Sequence, residues 1–414
     1  MHGRFLAAIG LMAAIVVSGC SGPAESTSPL PLVPVALSLT GPVADQPIRV
    51  GVVVGPRDGE GSEYHDMADG VRVGTYRFGL TGADISITAA LDDGTIAGAV
   101  EAFHLLASND VIGIIVASGG PHIEQAIAQV NLEQPILLPY EGLSSEHAGV
   151  WSTAPSWSAV NQAFSEALTE VKATSPYVVI EDGYTAPTVT STASETLTEE
   201  TAERVVAAIQ SGAVDSLIVV AAAYNQAYLI STVQEGLGVG QIPILSTPSA
   251  RTPLFARTLL AGGSISSTLI TTGPNTSDLA ALEIGPSGAQ AAAFFSSLRL
   301  AANDPTCLNV FGDAPLAKSA QTADMASHDA TIALVRAAEQ AGSVAPKAVS
   351  QALKGYSFKA EDGLSGPELD FSTSSALPDN TVKSLYASTQ NPGVRPLALT
   401  VQPTLVWFPL SQLS

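Results

Sequence analysis

The feature that most constrains this chain is a repeated alternation of strand patterns and helix patterns. A β-branched run begins at Ile48 and ends at Gly55-Pro56, and an apolar pattern with helical spacing follows it. The predicted strands of this first series are 48–54, 85–91, 111–116 and 136–138, and the predicted helices are 64–80, 96–107 and 121–130. The third of these strands is almost wholly apolar, which is typical of a strand buried on both faces of a parallel sheet.

The alternation breaks at Trp151–Pro155 and then resumes, which suggests a crossover into a second unit. The second series has predicted strands at 177–180, 216–220, 242–245 and 264–271, and predicted helices at 158–171, 199–211 and 225–236. Two Ala-rich helices follow at 287–302 and 324–341, and the second ends at Gly342. Strands that alternate with helices favour parallel sheets with right-handed crossovers, so the sequence predicts an α/β protein of two lobes.

The first twenty residues carry a different signal. A basic start precedes the apolar run Phe5–Val17, which is too short to span a bilayer permanently. The run ends in Val17-Ser18-Gly19-Cys20, which resembles the lipobox of bacterial lipoproteins. The resemblance implies a mature chain that begins at an acylated Cys20 and is anchored at the outer face of the cytoplasmic membrane. The alternative is an ordinary secretion signal that contains a cysteine.

Composition limits the partners of the folded part. The formal charge of −21 argues against nucleic acid and anionic lipid. Residues 21–46 are rich in Ser, Thr and Pro and fit an extended tether, although Leu37 and Leu39 suggest that part of it packs on the body. With Cys20 lipidated, Cys307 has no partner for a disulfide and is expected to be a buried small side chain, the alternative being a reactive thiol.

Over residues 47–390 the chain resembles the leucine/isoleucine/valine-binding receptors of ABC importers. The segments that carry the resemblance are IRVGVVVGP, DMADGVRVG, ISITAALDDGT, AVEAFHLLASNDVIGIIVASGG, WSTAPSWSAVNQAF, VDSLIVVAAAYNQAYLISTVQEGLGVGQIPIL, SHDATIALVRAAEQAGSV and DGLSGPELDFS. The resemblance implies the two-lobed fold of a type 1 periplasmic binding protein with a ligand in the cleft. The division expected is a signal peptide at 1–19, a lipidated tether at 20–46, an N-lobe of 47–153 plus 276–342, and a C-lobe of 154–275 plus 343–414.

The expected binding residues follow the carboxyl ends of the predicted strands, where ligands of open parallel sheets bind. They are Ser118, Gly119, Tyr140, Glu141, Tyr184 and Tyr224. Backbone N–H groups of Ser118-Gly119-Gly120, at a helix start, are suited to a carboxylate, while the alternative is that these glycines only permit a tight turn. The pair Asp92-Asp93 before Gly94-Thr95 is better explained as a turn with a helix cap than as a metal site.

The resemblance also exposes two departures. Amino-acid receptors of this kind have carboxylates at the positions of Trp157 and Ser249, so leucine, isoleucine and valine are expected to bind poorly unless Glu141, Asp58 or Asp182 substitutes. We find no nucleophile elbow, Walker loop or paired-cysteine motif, so no enzyme activity and no cofactor are expected. The predicted function is capture of a small polar ligand, an amino acid, amide or related solute, for an ABC permease. The alternative is a non-transporting interaction or regulatory lipoprotein of the cell envelope on the same fold.

Overall fold

Two separate sheets divide the chain into two lobes. The computed structural model describes residues 35–59, 61–262, 265–266, 268–396 and 405–409, so Cys20 and the lipobox lie outside the described residues. The first sheet is wholly parallel, in the order β2-β1-β3-β4-β5. Its strands are β1 (Ile48–Val54), β2 (Ile85–Leu91), β3 (Ile114–Ala117), β4 (Ile136–Leu138) and β5 (Val150–Ser152).

Helices cover both faces of this sheet. They are α1 (Gly70–Gly79), α2 (Ile96–Ala107), α3 (Pro121–Ile127), α8 (Pro286–Asn303), α9 (Met325–Ala341) and α10 (Pro346–Leu353). Helices α1 and α9 lie very close together, because a Cβ at Gly74 would come within 2.9 Å of Thr331. A short antiparallel pair, β11 (Ser357–Phe358) and β12 (Leu369–Asp370), joins the same lobe.

The second sheet has the order β14-β13-β10-β9-β8-β6-β7. Its strands are β6 (Pro176–Ile180), β7 (Ala193–Thr196), β8 (Ser216–Val220), β9 (Ile244–Ser246), β10 (Leu269–Gly273), β13 (Lys383–Ser388) and β14 (Val406–Phe408). β13 runs antiparallel to both of its neighbours, β10 and β14, and the other described pairings of this sheet are parallel. The flanking helices are α4 (Trp157–Glu170), α5 (Thr201–Gln210), α6 (Ala223–Leu237) and α7 (Pro253–Gly262).

The architecture confirms the predicted fold class: two parallel sheets flanked by helices, with the chain crossing between them. The crossings lie at 153–156, 274–285 and 378–382. Several boundaries agree closely with the sequence, including β1, β2, α2 and β8. The sequence reasoning missed β5, β7, α7 and α10, which are short or carry few periodic apolar residues.

The lobe boundaries in the structure differ from the sequence division in two places. The sequence division places 343–414 in the C-lobe, but residues 346–377 pack on the first lobe. Val349, Leu353, Phe358 and Phe371 are buried in the core of that lobe. The end of the expected tether also packs there, since Leu37 is buried in the same core. Hydrophobic burial, which is not visible in local sequence patterns, places both segments.

Two further observations concern single features. Cys307 is buried, and burial raises the pKa of its thiol to about 11. Within the described part of the chain, no helix is long and apolar enough to cross a membrane.

Candidate functional site

A cavity of about 210 Å³ lies between the lobes, at the carboxyl ends of the strands of both sheets. The segments that line the cavity follow β1, β4 and β5 in the first sheet and β9 and β10 in the second, whereas the loops after β3, β6 and β8 do not line it. The first lobe contributes Tyr64, Met67, Pro139, Tyr140, Thr153 and Asp324; the second lobe and its crossing segment contribute Pro248, Arg251, Thr252, Pro253, Pro274 and Thr276.

On the first lobe, two tyrosines and a carboxylate form the wall. The rings of Tyr64 and Tyr140 stack with centroids 4.4 Å apart, and the Tyr140 hydroxyl donates to Asp324 Oδ1 at 2.8 Å. The same oxygen accepts the backbone N–H of Ser327 at 3.1 Å, so Asp324 is the N-cap of α9. Burial raises the pKa of Asp324, against the hydrogen bonds from Ser327 and Tyr140, which lower it.

On the second lobe, Arg251 faces the cavity from the short turn after β9. Its Nη2 donates to Thr276 Oγ1 at 2.6 Å. Burial lowers the pKa of Arg251 to about 10, while the charge of Asp324 across the cavity raises it. No carboxylate among the described residues lies within 4.0 Å of this guanidinium. The cleft therefore contains a half-buried cation that has no direct counter-ion in the described part of the chain.

The other charges at the cavity edge are already paired or lie in solvent. Arg395 donates from Nε to both carboxylate oxygens of Asp278 at 2.9 Å, and from Nη1 to the carbonyl of Ala323 at 2.8 Å. Arg257 is exposed. Arg251 is thus the cation best placed to meet a bound solute.

The structure places the predicted residue Ser118 inside the first lobe. Its side chain is buried, and its hydroxyl donates to Asp92 Oδ2 at 2.7 Å. His122 Nε2 lies 2.7 Å from the same oxygen. Asp92 therefore organises the start of α3, and Ser118 does not line the cavity. Thr95 accepts the N–H of Gly98 and caps α2, as the turn-and-cap interpretation of 92–95 predicted.

Gly119 and Glu141 close the position that sequence reasoning assigned to a ligand carboxylate. The Glu141 carboxylate accepts the Gly120 N–H at 2.6 Å. A Cβ at Gly119 would lie 2.4 Å from the Tyr64 ring and 2.6 Å from Glu141 Oε1. The chain's own carboxylate and ring thus cover the backbone here.

The remaining predicted residues lie at different distances from the cavity. Tyr140 lines it directly. Tyr184 is half-buried at the edge of the second lobe's core, next to Gly183, which lies against the ring of Pro121 across the cleft. Tyr224 is 53% exposed and stacks on Tyr228 at the surface of α6. Neither Tyr184 nor Tyr224 contributes to the cavity lining.

The two positions where the receptors have carboxylates are occupied by internal contacts. The Trp157 indole donates to the carbonyl of Ala186 at 3.3 Å. The Ser249 hydroxyl donates to the carbonyl of Ala221 at 3.2 Å, within a network around Gln226. Asp58 and Asp182, considered as substitutes, are both exposed. The carboxylates that line the cavity are Asp278, Asp324 and Asp329. Asp278 pairs with Arg395, and Asp329 accepts the N–H groups of Ser365 and Gly366, which leaves Asp324 as the carboxylate best placed to meet a solute.

Sequence reasoning missed Arg251 and Asp324. Arg251 lies in the turn after β9, two residues beyond Ser249, the position at which the family resemblance implies a carboxylate. Asp324 directly precedes a strong helical pattern and carries the signal of an N-cap, which gives no indication of a cleft. The sequence signal for Arg251 is a charged side chain on a loop that follows a parallel strand.

Comparison with known proteins defines the fold. No protein-family model and no curated protein matches the chain. Solved structures do match the chain. One is a type 1 periplasmic binding protein of Bordetella pertussis (17% identity, 86% of this chain, 100% of that chain, TM-score 0.60). A second is the branched-chain amino acid binding protein LivJ of Streptococcus pneumoniae in complex with isoleucine (11% identity, 88% of this chain, 99% of that chain, TM-score 0.62). A third is a solute-binding protein of R. palustris in complex with 4-hydroxybenzoate (13% identity, 88% of this chain, 97% of that chain, TM-score 0.60). The chain has the two-lobed type 1 periplasmic-binding-protein fold.

Proposed function

We propose that this chain is an extracytoplasmic solute-binding protein that captures a small polar ligand, such as an amino acid, an amide or a related solute, between its lobes. The observation that carries the proposal is the interlobe cavity, which combines a cation without a carboxylate partner among the described residues, a partly buried carboxylate and tyrosines. The fold supports it, since solved structures with this fold include proteins in complex with isoleucine and with 4-hydroxybenzoate. Binding, not catalysis, is the chemistry that such a cleft suits.

The proposal extends to delivery and location. The lipobox-like segment supports lipid anchoring at Cys20, on the outer face of the cytoplasmic membrane. An anchored receptor of this fold would hand its ligand to an ABC permease. The net charge of −21 agrees with a partner other than nucleic acid.

Closure on the ligand tests the function. A ligand that binds between the lobes should raise the melting temperature and reduce the radius of gyration measured by X-ray scattering. At a ligand concentration a hundred times the dissociation constant, the added stability is about 2.7 kcal/mol. If amino acids, amides, organic acids, sugars and peptides all leave both quantities unchanged, solute binding is contradicted.

Leucine, isoleucine and valine are expected to bind poorly. Trp157 and Ser249 make internal hydrogen bonds at the positions where the receptors have carboxylates. An ammonium group in a dry cleft needs a paired carboxylate, and a charged hydrogen bond contributes about 1.5–3 kcal/mol. Calorimetry with leucine checks this, and micromolar binding would show that Asp324 or another carboxylate fills the role.

One observation favours the second candidate, a non-transporting envelope protein. Glu141 and Tyr64 cover the Gly119-Gly120 backbone from within, as expected if the first-lobe binding position is no longer used for a solute. A pull-down that recovers an envelope protein, together with a failed ligand screen, would favour this candidate.

A further inference from the structure

Arg251 is the feature of the cleft that its own surroundings do not explain. The guanidinium is half-buried, and its described polar contact is the Thr276 hydroxyl at 2.6 Å. A partly desolvated cation without a directly bound counter-ion gains from an anion that joins it, and Asp324 attracts Arg251 only across the cavity, without a hydrogen bond. Arg395, at the edge of the same cavity, shows the contrast, because Asp278 pairs with it through both carboxylate oxygens.

The first lobe does not offer a competing anion position in its β3–α3 loop. The Gly120 N–H already donates to Glu141 Oε1 at 2.6 Å, and the Tyr64 ring lies over Gly119. An incoming carboxylate there would face the negative charge of Glu141. Any anionic group of a ligand is therefore directed to the opposite lobe, towards Arg251.

The other lining residues indicate the polarity and charge of the ligand that the cavity fits. Prolines, Met67, Leu377 and the stacked tyrosines make most of the wall apolar. Asp324 faces the same space, and its Oδ1 is saturated by donors from Tyr140 and Ser327. A second negative group on the ligand near Asp324 would be repelled, so the wall fits a single anionic group on a compact apolar body.

We infer that the cleft binds a small organic monocarboxylate whose carboxylate is held by Arg251 and Thr276 of the second lobe. A planar guanidinium holds a carboxylate in bidentate geometry, which fixes the orientation of the ligand. The inference rests on the proposed function and narrows its ligand class to acids bound through the second lobe.

Acid and amide pairs of equal shape test the inference. The probes are benzoate with benzamide and 4-methylpentanoate with 4-methylpentanamide, measured by thermal shift and calorimetry on wild type, Arg251→Gln, Arg251→Lys and Arg257→Gln. We expect at least one acid to bind wild type and its amide to bind at least tenfold more weakly. Arg251→Gln should lower the affinity for the acid by about 10- to 100-fold, because a charge-assisted hydrogen bond is lost. Arg257→Gln, at the exposed rim of the cavity, should change the affinity for the acid less than about threefold.

A purely structural role of Arg251 has a different signature. If Arg251 only supported the fold, Arg251→Gln would lower the melting temperature of the ligand-free protein. We expect that temperature to stay equal or to rise, since an unpaired desolvated charge is removed. Arg251→Lys should keep part of the acid binding because it keeps the charge.

The outcomes separate the inference from the function beneath it. If an amide binds as tightly as its acid, if Arg251→Gln leaves the affinity for the acid unchanged, or if only sugars or peptides bind, the inference is overturned and solute binding stands. If neither these acids nor any other solute shifts the wild-type melting temperature, both are overturned.

Discussion

The hydrogen bond of the Gly120 N–H to Glu141 makes the first lobe a poor site for an anion. The Gly120 N–H donates to Glu141, whereas Arg251 on the opposite lobe has no carboxylate partner among the described residues. The contrast arises from residues far apart in the chain that meet only across the cleft. It moves the expected anion contact from the first lobe to the second.

Gly119→Ala tests how tightly the first-lobe position is filled. The added Cβ would lie 2.4 Å from the Tyr64 ring and 2.6 Å from Glu141, so the stacked tyrosine must move. We expect a loss of about 1–3 kcal/mol in the free energy of unfolding, measured by urea denaturation. Gly79→Ala is the control, because nothing lies within 4 Å of its new Cβ. Equal stability of the two variants would contradict this packing.

Asp69 should make stability depend on pH. Burial raises the pKa of its carboxyl from 3.8 to about 6, although hydrogen bonds from the Ser319 hydroxyl and the Val310 N–H lower it. The folded state therefore holds the proton more tightly than the unfolded state. The contribution of Asp69 to the free energy of unfolding is fully present below about pH 4 and is lost as pH rises through about 6, a change of up to about 3 kcal/mol.

Asp69→Asn isolates this contribution. Asparagine does not ionise, so the stability of wild type minus that of the variant should decrease between pH 4 and pH 7. Urea denaturation at several pH values measures the difference. A difference that stays constant over this range would show that Asp69 has an ordinary pKa in the folded protein.

At the scale of elements, side-chain caps define where helices begin. Thr95, Ser156 and Asp324 each accept a backbone N–H at the start of α2, α4 and α9. Caps are local, so a sequence pattern can find them. Asp324 shows that such a residue can also face a cleft, which its local pattern does not reveal.

Thr95→Ala should weaken the start of α2 and also remove the hydrogen bond from the Thr95 hydroxyl to Asp93 Oδ1. Thr95 is exposed, and its hydroxyl oxygen accepts the Gly98 N–H at 3.1 Å. Loss of an N-cap costs about 1 kcal/mol. Thr95→Ser keeps the hydroxyl and should stay within a few tenths of a kcal/mol of wild type. Thermal or urea denaturation compares the two, and an equal loss in both would mean that the Thr95 methyl group, not the cap, matters.

At the scale of the whole molecule, the start of the described chain is secured to the first lobe, whereas its last strands, β13 and β14, belong to the second sheet. The fully buried Arg77 donates to the carbonyls of Val35 and Gly363, so one side chain joins the start of the described chain to the segment after α10.

Cys20→Ala tests the anchor. If Cys20 carries the acyl chains, the variant should remain as an unprocessed precursor or appear in the medium. Fractionation and mass spectrometry of the mature N-terminus measure this. Ser21→Ala is a control beside the cysteine and should leave the protein with the membrane. Unchanged processing and fractionation of Cys20→Ala would contradict lipidation.

The sequence by itself determined the two-lobed α/β class, because β-branched buried runs and apolar helical spacing are local properties of the chain. It also indicated the loops after the strands, since parallel strands end at one edge of a sheet. It did not show that residues 346–377 complete the first lobe, or that Gly119 and Gly120 are covered by Tyr64 and Glu141.

The tertiary structure alone decided which charged groups meet. Arg251 and Asp324 belong to different lobes, and only the crossing connections bring them to one cavity. Whether a charge is paired, buried or open to a ligand depends on neighbours distant in the chain, through desolvation and Coulomb forces that no local pattern encodes. That is why the fold could be predicted from the sequence while the chemistry of the cleft could not.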